Sequence, residues 1–416
     1  MSINMKNPLI IKHAQKLLCP TDFHGGFGQL DIIEDGAVVC RKDIIVWVGK
    51  TSDIPPDYEN ENCQVINASN KLVAPGFVDC HTHPIFSGTR EHEFVMRCQG
   101  KSYREIAEAG GGIRYSVRML RTASEEELLI DAIPRLNRFL STGTTTIEAK
   151  SGYGLSIDNE IKMLRVIRKL NEIHPIDIVP TFLGAHELPD EYRDRRRDYI
   201  DLVIHEMIPM VAEEKLAVFC DVFCEDHVFT VNESEEILQA ALNAGLKIKI
   251  HADQLTSSHG AAMAASLGAV SADHLDYSDS NTVEQLKQHG VIPVLLPGAV
   301  FFLGLSHYAN ARSMIDSQLP VAIATDFNPG SCTIQSMPLI ASISCIYMHM
   351  TPTETWIAST INAAKSVCLE QKIGSLSVNK QADIIIWDIP NENFMPYSFG
   401  NTSIDNVVKN GDLLKT

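Results

Sequence analysis

The sequence predicts an α/β protein, a (β/α)8 TIM-type barrel with a small β-sandwich domain formed by both chain ends. Three observations lead there. Short apolar runs alternate with helical patterns through the middle of the chain, which argues a parallel sheet with helical crossovers. Eight such runs recur within about 300 residues, which fits a closed barrel better than an open doubly wound sheet, the rival architecture. The two ends carry β-branched runs and turn signals, but neither holds enough apolar material for a core of its own. Pairing them into one unit is the economical solution, with the division 1–72, 73–378 and 379–416.

Taken in order, residues 9–11, 36–40 and 44–48 are short runs rich in β-branched side chains, with Asp35-Gly36 as a turn just ahead of the second. The barrel strands are expected at 73–80, 144–149, 176–182, 218–223, 246–250, 269–272, 291–296 and 321–324. The clearest helices between them are 124–140, 159–171 and 233–244. Ser124 and Glu127 have the spacing of a capping box, and Gly143 and Gly245 stand just past two helices, where a left-handed residue is wanted. The tail returns to β structure at 382–387 and at 404–408, which leads to the turn Asn410-Gly411.

Composition narrows the partners. In 416 residues, 35 Lys plus Arg oppose 52 Asp plus Glu, a net −17, which argues against nucleic acid or an anionic membrane surface but not against a small anionic substrate. At 45% hydrophobic and 21% charged the chain is an ordinary globular one. The longest apolar stretch, 291–305, is interrupted by Pro293, Pro297, Gly298 and Gly304 and is too short to span a bilayer. Ten scattered cysteines show no metal-binding or disulfide spacing, and residues 1–18 lack a signal peptide's apolar core. A reducing, cytoplasmic setting is the expectation.

Chemistry gathers where strands should end, at the C-terminal mouth of a barrel. The first strand runs into Asp79-Cys80-His81-Thr82-His83, and alternation turns His81 and His83 to the same side. The fifth ends in His251, the sixth in His274 and the eighth in Asp326. A single His-x-His is weak evidence and Thr325-Asp326 alone could cap a helix. Together, histidines and a carboxylate on converging strand ends are what a catalytic zinc or iron site needs.

These residues, with the tail string 374–383 ending in Ala382-Asp383, resemble the amidohydrolase superfamily. The strings Phe86-Ser-Gly-Thr-Arg-Glu91, Ser102-Tyr103, Ala109-Gly-Gly-Gly-Ile-Arg114, Lys150-Ser-Gly-Tyr-Gly154, Phe182-Leu-Gly-Ala-His186, His251-Ala-Asp-Gln254, Ser271-Ala-Asp-His274 and Ala324-Thr-Asp-Phe-Asn-Pro-Gly330 resemble, more narrowly, its members that open the imidazolone ring in histidine breakdown. The resemblance implies hydrolysis of 4-imidazolone-5-propanoate to N-formimidoyl-L-glutamate by a homodimer. A related hydrolase or deaminase of another small heterocycle is the alternative.

The same resemblance implies one divalent metal, zinc or iron, held by His81, His83, His251 and Asp326. Asp326 would also accept a proton, and His274 would stabilise an oxyanion or shuttle a proton. Arg90 would read the substrate's carboxylate, helped by Tyr103. Tyr153 and His186 would contact the ring, Gln254 would touch the substrate, and Asn328, Gly330 and Ser331 would hold its amino-acid portion. Gln at 254 departs from any scheme that wants a carboxylate base there, since an amide takes up no proton at neutral pH. Lys150 could in principle be a carbamylated bridge between two metals. The superfamily's bridging lysine, however, usually follows the fourth strand, where this chain has Cys224-Glu225.

Other features read as bland. Gly110-Gly111-Gly112 lacks the rest of a phosphate loop. The arginines at 193–197 alternate with Asp194 and Asp198 as a solvated helix start does. Cys220 and Cys224 read as core thiols.

Overall fold

A computed structural model describes residues 8–22, 26–59, 62–101, 105–106, 109–401 and 403–414. Five strands open the chain: β1 (Leu9–Thr21), β2 (Gln29–Arg41), β3 (Ile44–Lys50), β4 (Gln64–Asn67) and β5 (Leu72–Pro75). Eight follow with helices between them: β6 (Phe77–Asp79), β7 (Thr144–Lys150), β8 (Asp177–Ala185), β9 (Phe219–Cys224), β10 (Lys247–Ala252), β11 (Ser271–His274), β12 (Ile292–Leu295) and β13 (Ala322–Ile323). The tail adds β14 (Ile384–Trp387), β15 (Ile404–Lys409) and β16 (Asp412–Leu414).

The middle eight are a parallel sheet in the order β13-β12-β11-β10-β9-β8-β7-β6. Its two edges meet just beyond the strand ends. The Asp326 N–H donates to the His81 carbonyl at 3.1 Å and the His83 N–H to the Phe327 carbonyl at 2.8 Å. The Asp79 carboxylate adds a second tie, accepting the Thr325 N–H at 2.9 Å and its hydroxyl at 2.6 Å. The expected barrel is therefore present, and its seam runs through the residues that carry the chemistry.

The two chain ends pair as expected. Strand β14 lies between β5 and β15, giving a continuous order β16-β15-β14-β5-β1-β2-β3 with β4 beside β1. Hydrogen bonding thus joins the small unit as one sheet. One face buries Leu9, Ile11, Val38, Val73, Ile384 and Val408, and the next residues along β1 and β2, Ile10, Ala37 and Val39, bury on the other, as a period of two requires.

The run 73–80 is not one strand. It breaks at Gly76: β5 joins the end sheet and β6 opens the barrel. A Cβ at position 76 would lie 2.2 Å from Thr145 Oγ1, so only glycine lets the chain pass between the sheets. Strands β1 and β2 are also longer than their apolar stretches. Polar side chains alternate along them, and a bulge falls between Ile11 and Ala14, where His13 takes φ 62°.

Helix starts follow the sequence. Ser124 caps the helix Glu125–Ser141 in a reciprocal box with Glu127, and that helix buries Leu128, Ala132, Leu136 and Phe139. Thr230 does the same with Glu233 for Val231–Asn243. Gly143 and Gly245, at φ 87° and 86°, supply the left-handed residues after these helices. Arg197 starts a helix as a solvated residue paired with Asp201 and Glu236. The cysteines are free, and burial pushes the Cys220 thiol up. No helix among the described residues is long and apolar enough to cross a membrane.

Candidate active site

The barrel mouth gathers the residues that the sequence singled out. His81 and His83 lie in the extended segment after β6, held by the seam bonds, so the strand's alternation continues past its last residue. His251 is the penultimate residue of β10, His274 is the last of β11, and Asp326 follows β13. One ligand atom from each of His81, His83 and His251 lies within 4.8 Å of the others, and the same is true of His81, His274 and Asp326. Asp326 Oδ1 is 3.6 Å from both His81 Nε2 and His83 Nε2. All five side chains are buried.

Buried ring nitrogens normally find a partner. Here His81 Nε2 and His251 Nε2 have none among the described residues. The opposite nitrogens explain why. His81 Nδ1 is hydrogen-bonded to Asp273 Oδ2 at 2.6 Å, and His251 Nδ1 lies 3.0 Å from Asp221 Oδ2, an ion-pair distance without hydrogen-bond geometry. A carboxylate at Nδ1 fixes the proton there and leaves the Nε2 lone pair for a cation, the arrangement of a metal-ligating histidine. Burial, and then neighbouring positive charge, holds the imidazoles of His81, His83 and His274 well below their ordinary value. They are neutral at pH 7, as metal ligands must be. The donor set therefore fits a metal ion.

Beneath the histidines lies an ion network that the sequence reading missed apart from one member. Lys150 Nζ contacts Asp221 Oδ2 at 2.7 Å, Glu148 Oε1 at 3.0 Å and Asp273 Oδ2 at 3.4 Å. Lys249 Nζ contacts Glu148 Oε2 at 2.9 Å and the Cys80 carbonyl at 3.3 Å. Burial opposes the Lys150 charge, but Asp221, Glu148 and Asp273 outweigh it and hold the ammonium above its ordinary value. Asp221 is likewise penalised by burial yet held below the usual carboxylate range by His251 and Lys150. His81, Glu148 and Asp273 also cluster closely enough for an ion, but the two lysines already neutralise those carboxylates. A usable signal was present. Glu148 and Lys150, Lys249 and His251, and Ser271 and Asp273 are polar pairs two residues apart within apolar strands, which is how an inward-facing polar layer reads.

The expected substrate residues border this cluster. The His186 ring stacks on His83 at 5.2 Å between centroids, and Tyr153 lies 6.0 Å from His83 and 5.5 Å from His186. His186 Nδ1 donates to the Gly152 carbonyl at 3.0 Å. Burial, then His251, takes its pKa down to about 3, so the ring is neutral with Nε2 free to accept. Gly152, at φ 103°, could carry no side chain, because a Cβ would lie 2.8 Å from His186 Nδ1. Glu160 holds this loop by accepting the N–H groups of Gly152, Gly154 and Leu155, another residue that the sequence reading passed over.

Arg90 lies across the mouth against Gly330, where a Cβ would be 2.1 Å from its Nη1. Its charge also acts on Tyr153, whose phenol burial pushes up, as does that of Asp326. Gln254 is half-buried in the loop after β10. Tyr103 lies outside the described residues.

Asn328 holds its own turn. Its Nδ2 donates to the Asp326 carbonyl and to Ser331 Oγ, both at 2.7 Å, while its Oδ1 accepts the N–H groups of Gly330 and Ser331. The amide braces its own turn, as short polar side chains do locally. Ser331 Oγ in turn reaches Asp326 Oδ2 at 3.4 Å. The backbone is strained at the same end: His274, Leu275 and Asp326 take φ 79°, 64° and 53°, values that non-glycine residues hold at functional sites.

Comparison with known proteins agrees with this picture. The Amidohydrolase family matches residues 72–414. An imidazolonepropionase of Brevibacillus brevis is 46% identical, covering 99% of this chain and 98% of its own length. One from Clostridium tetani is 44% identical over 98% of both. Among solved structures, an adenosine deaminase from Xanthomonas campestris with bound zinc superposes at TM-score 0.73 with 16% identity, over 98% of this chain and 93% of that one. An ochratoxinase from A. niger superposes at 0.70 with 20% identity, over 99% and 96%. At such identities the structures speak for the fold alone.

Proposed function

From the premise that the chain belongs to the amidohydrolase family, we infer that it hydrolyses the ring amide of 4-imidazolone-5-propanoate to N-formimidoyl-L-glutamate, a step of histidine degradation. The observation that carries the chemistry is the buried cluster of His81, His83, His251 and Asp326, with ring nitrogens that no group among the described residues satisfies. The hydrolase unit is residues 73–378, the two ends form the small β unit, and the working form is a cytoplasmic homodimer.

His81, His83, His251 and Asp326 hold one divalent metal, zinc or iron, in this reading. Such an ion supplies a water acidic enough to ionise near neutral pH and polarises the ring carbonyl. The protein does the rest. Asp326, buried beside the histidines, takes the proton from the attacking water. His274, neutral and beside it, steadies the developing oxyanion or passes the proton to the departing ring nitrogen. Tyr153 and His186 flank the ring, and Arg90 binds the propanoate. Gly330 gives the arginine room, and Asn328 and Ser331 shape the turn behind Asp326.

The direct test is the loss of imidazolone absorbance. Protein stripped by a chelator is expected to lose turnover and to regain it with added zinc or iron; hydrolysis by verified metal-free protein sinks the reading. Arg90→Lys keeps a charge but loses the planar fork, and KM is expected to rise about tenfold. Unchanged kinetics would remove Arg90 from the carboxylate. Gln254→Glu is expected to raise turnover at saturating substrate if position 254 lacks a base that the reaction could use. A lower rate would leave the proton work to Asp326 and His274.

A further inference from the structure

Arg90 does not stand free at the mouth. Its Nε and Nη2 donate to the two carboxylate oxygens of Glu93 at 2.9 and 2.7 Å. Glu93 is only 4% exposed, and its Oε1 also accepts the Gly112 N–H at 2.9 Å. A Cβ on Gly111 would lie 2.9 Å from that same oxygen, so the glycine segment comes down on Glu93 only because it carries no side chains. On the far side Nη1 lies near Gly330, where a Cβ would come within 2.1 Å of it. Arg97 stands behind, with Nη1 3.4 Å from the Gly330 carbonyl and its guanidinium 4.9 Å from the Phe302 ring.

A carboxylate buried beside the residue that must attract a carboxylate is electrostatically counterproductive unless it does something else. A guanidinium has two donor edges. Glu93 takes the Nε/Nη2 edge, which leaves the Nη1/Nη2 edge as the one that can meet a second anion. Two arginines against one glutamate also leave one unit of positive charge there, which suits a single carboxylate. The glycine triplet, which looked bland in the sequence, thereby gains a purpose: it carries the N–H that holds Glu93 in place.

We propose that Glu93 is a positioning residue that sets specificity for a carboxylate-bearing substrate, by fixing which edge of Arg90 faces the site and tying that pose to the 110–112 segment. This rests on the reading of Arg90 as the group that binds the propanoate.

The test compares 4-imidazolone-5-propanoate with its carboxamide analogue on the metal-loaded protein. Glu93→Gln keeps the shape and an acceptor for Gly112 but loses the bidentate ion pair. KM for the carboxylate is expected to rise about tenfold with kcat within about threefold, and the carboxylate-to-carboxamide ratio of kcat/KM to fall about tenfold. Glu93→Asp, which keeps the charge but shortens the reach, is expected to lower the ratio by less, about threefold. The double variant Arg90→Lys/Glu93→Gln is expected to be no worse than Arg90→Lys alone, since both act through one group. Equal losses on both substrates, an unchanged ratio or additive losses overturn the proposal. If Arg90→Lys itself leaves the ratio unchanged, the reading of Arg90 has failed, and that outcome is distinct. Should Glu93→Gln not fold, the ratio in Glu93→Asp decides: a longer arginine reach lowers it, whereas a merely structural glutamate leaves it unmoved.

Discussion

Asp326→Asn is expected to slow turnover by about 10²–10⁴-fold even when the metal is fully loaded, the range that loss of a positioned acid–base group produces. The side chain has two separable duties. As a donor to the metal it needs an oxygen, which Asn retains. As a proton acceptor it needs a carboxylate, which Asn lacks. Its Oδ1 stands 3.6 Å from His81 Nε2 and from His83 Nε2, while Oδ2 turns to Ser331 Oγ. Burial pushes its carboxyl up, toward the proton-accepting side, and a cation bound beside it would pull it down again. Metal content and rate, measured on the same preparation, separate the duties. If excess metal restores the rate, Asp326 is a ligand only; a slow variant with normal metal content is the outcome expected here. His274→Asn, with its ring gone and metal content unchanged, should lose about 100-fold or more, and near-normal turnover would make His274 a core residue.

The candidate site residues were legible because they sit where a barrel's geometry places chemistry. His81, His83, His251, His274 and Asp326 all follow apolar runs, and strand alternation orients them without further information. Less legible was what lies one layer down. Spacing puts Glu148, Lys249 and Asp273 on the same strand face as Lys150, His251 and Ser271, but sequence does not show what lies opposite that face, and Asp221 has no such pair at all. Their meaning appears only when four strands converge and Lys150 reaches three carboxylates from different strands. The break at Gly76 was hidden for a related reason. Residues 73–80 are apolar throughout, and nothing in hydrophobicity distinguishes a single strand from two strands in different sheets. Only the 2.2 Å approach of a would-be Cβ to Thr145 shows the crossing. Asn328 shows a further limit: the residue type was visible, but its hold on a local turn depends on backbone positions that no pattern specifies.

Lys150→Met should be the most damaging substitution for stability. Five ionisable groups, Glu148, Lys150, Asp221, Lys249 and Asp273, are fully buried, with three acids against two lysines, a net −1. Removing one ammonium makes that −2 in a place where water cannot compensate. Breaking a buried pair from one side costs about 3–5 kcal/mol, and here three carboxylates lose the same partner. Methionine keeps most of the length and the packing, so the loss reads charge. The chemical-denaturation midpoint of the metal-loaded protein is the measurement, and an unchanged midpoint would mean that the network does not hold the barrel floor. Metal retention against a competing chelator should fall as well, because Asp221 and Asp273 orient His251 and His81. A carbamylated lysine predicts otherwise: bicarbonate would rescue the lost metal through a small-molecule stand-in. An ammonium held above its ordinary pKa by three carboxylates is a poor carbamylation target, and no rescue is expected. The double variant Glu148→Gln/Lys150→Met returns the floor to −1 and should recover part of the stability. If it is no more stable than Lys150→Met alone, the deficit comes from lost packing around the side chain and not from unbalanced charge.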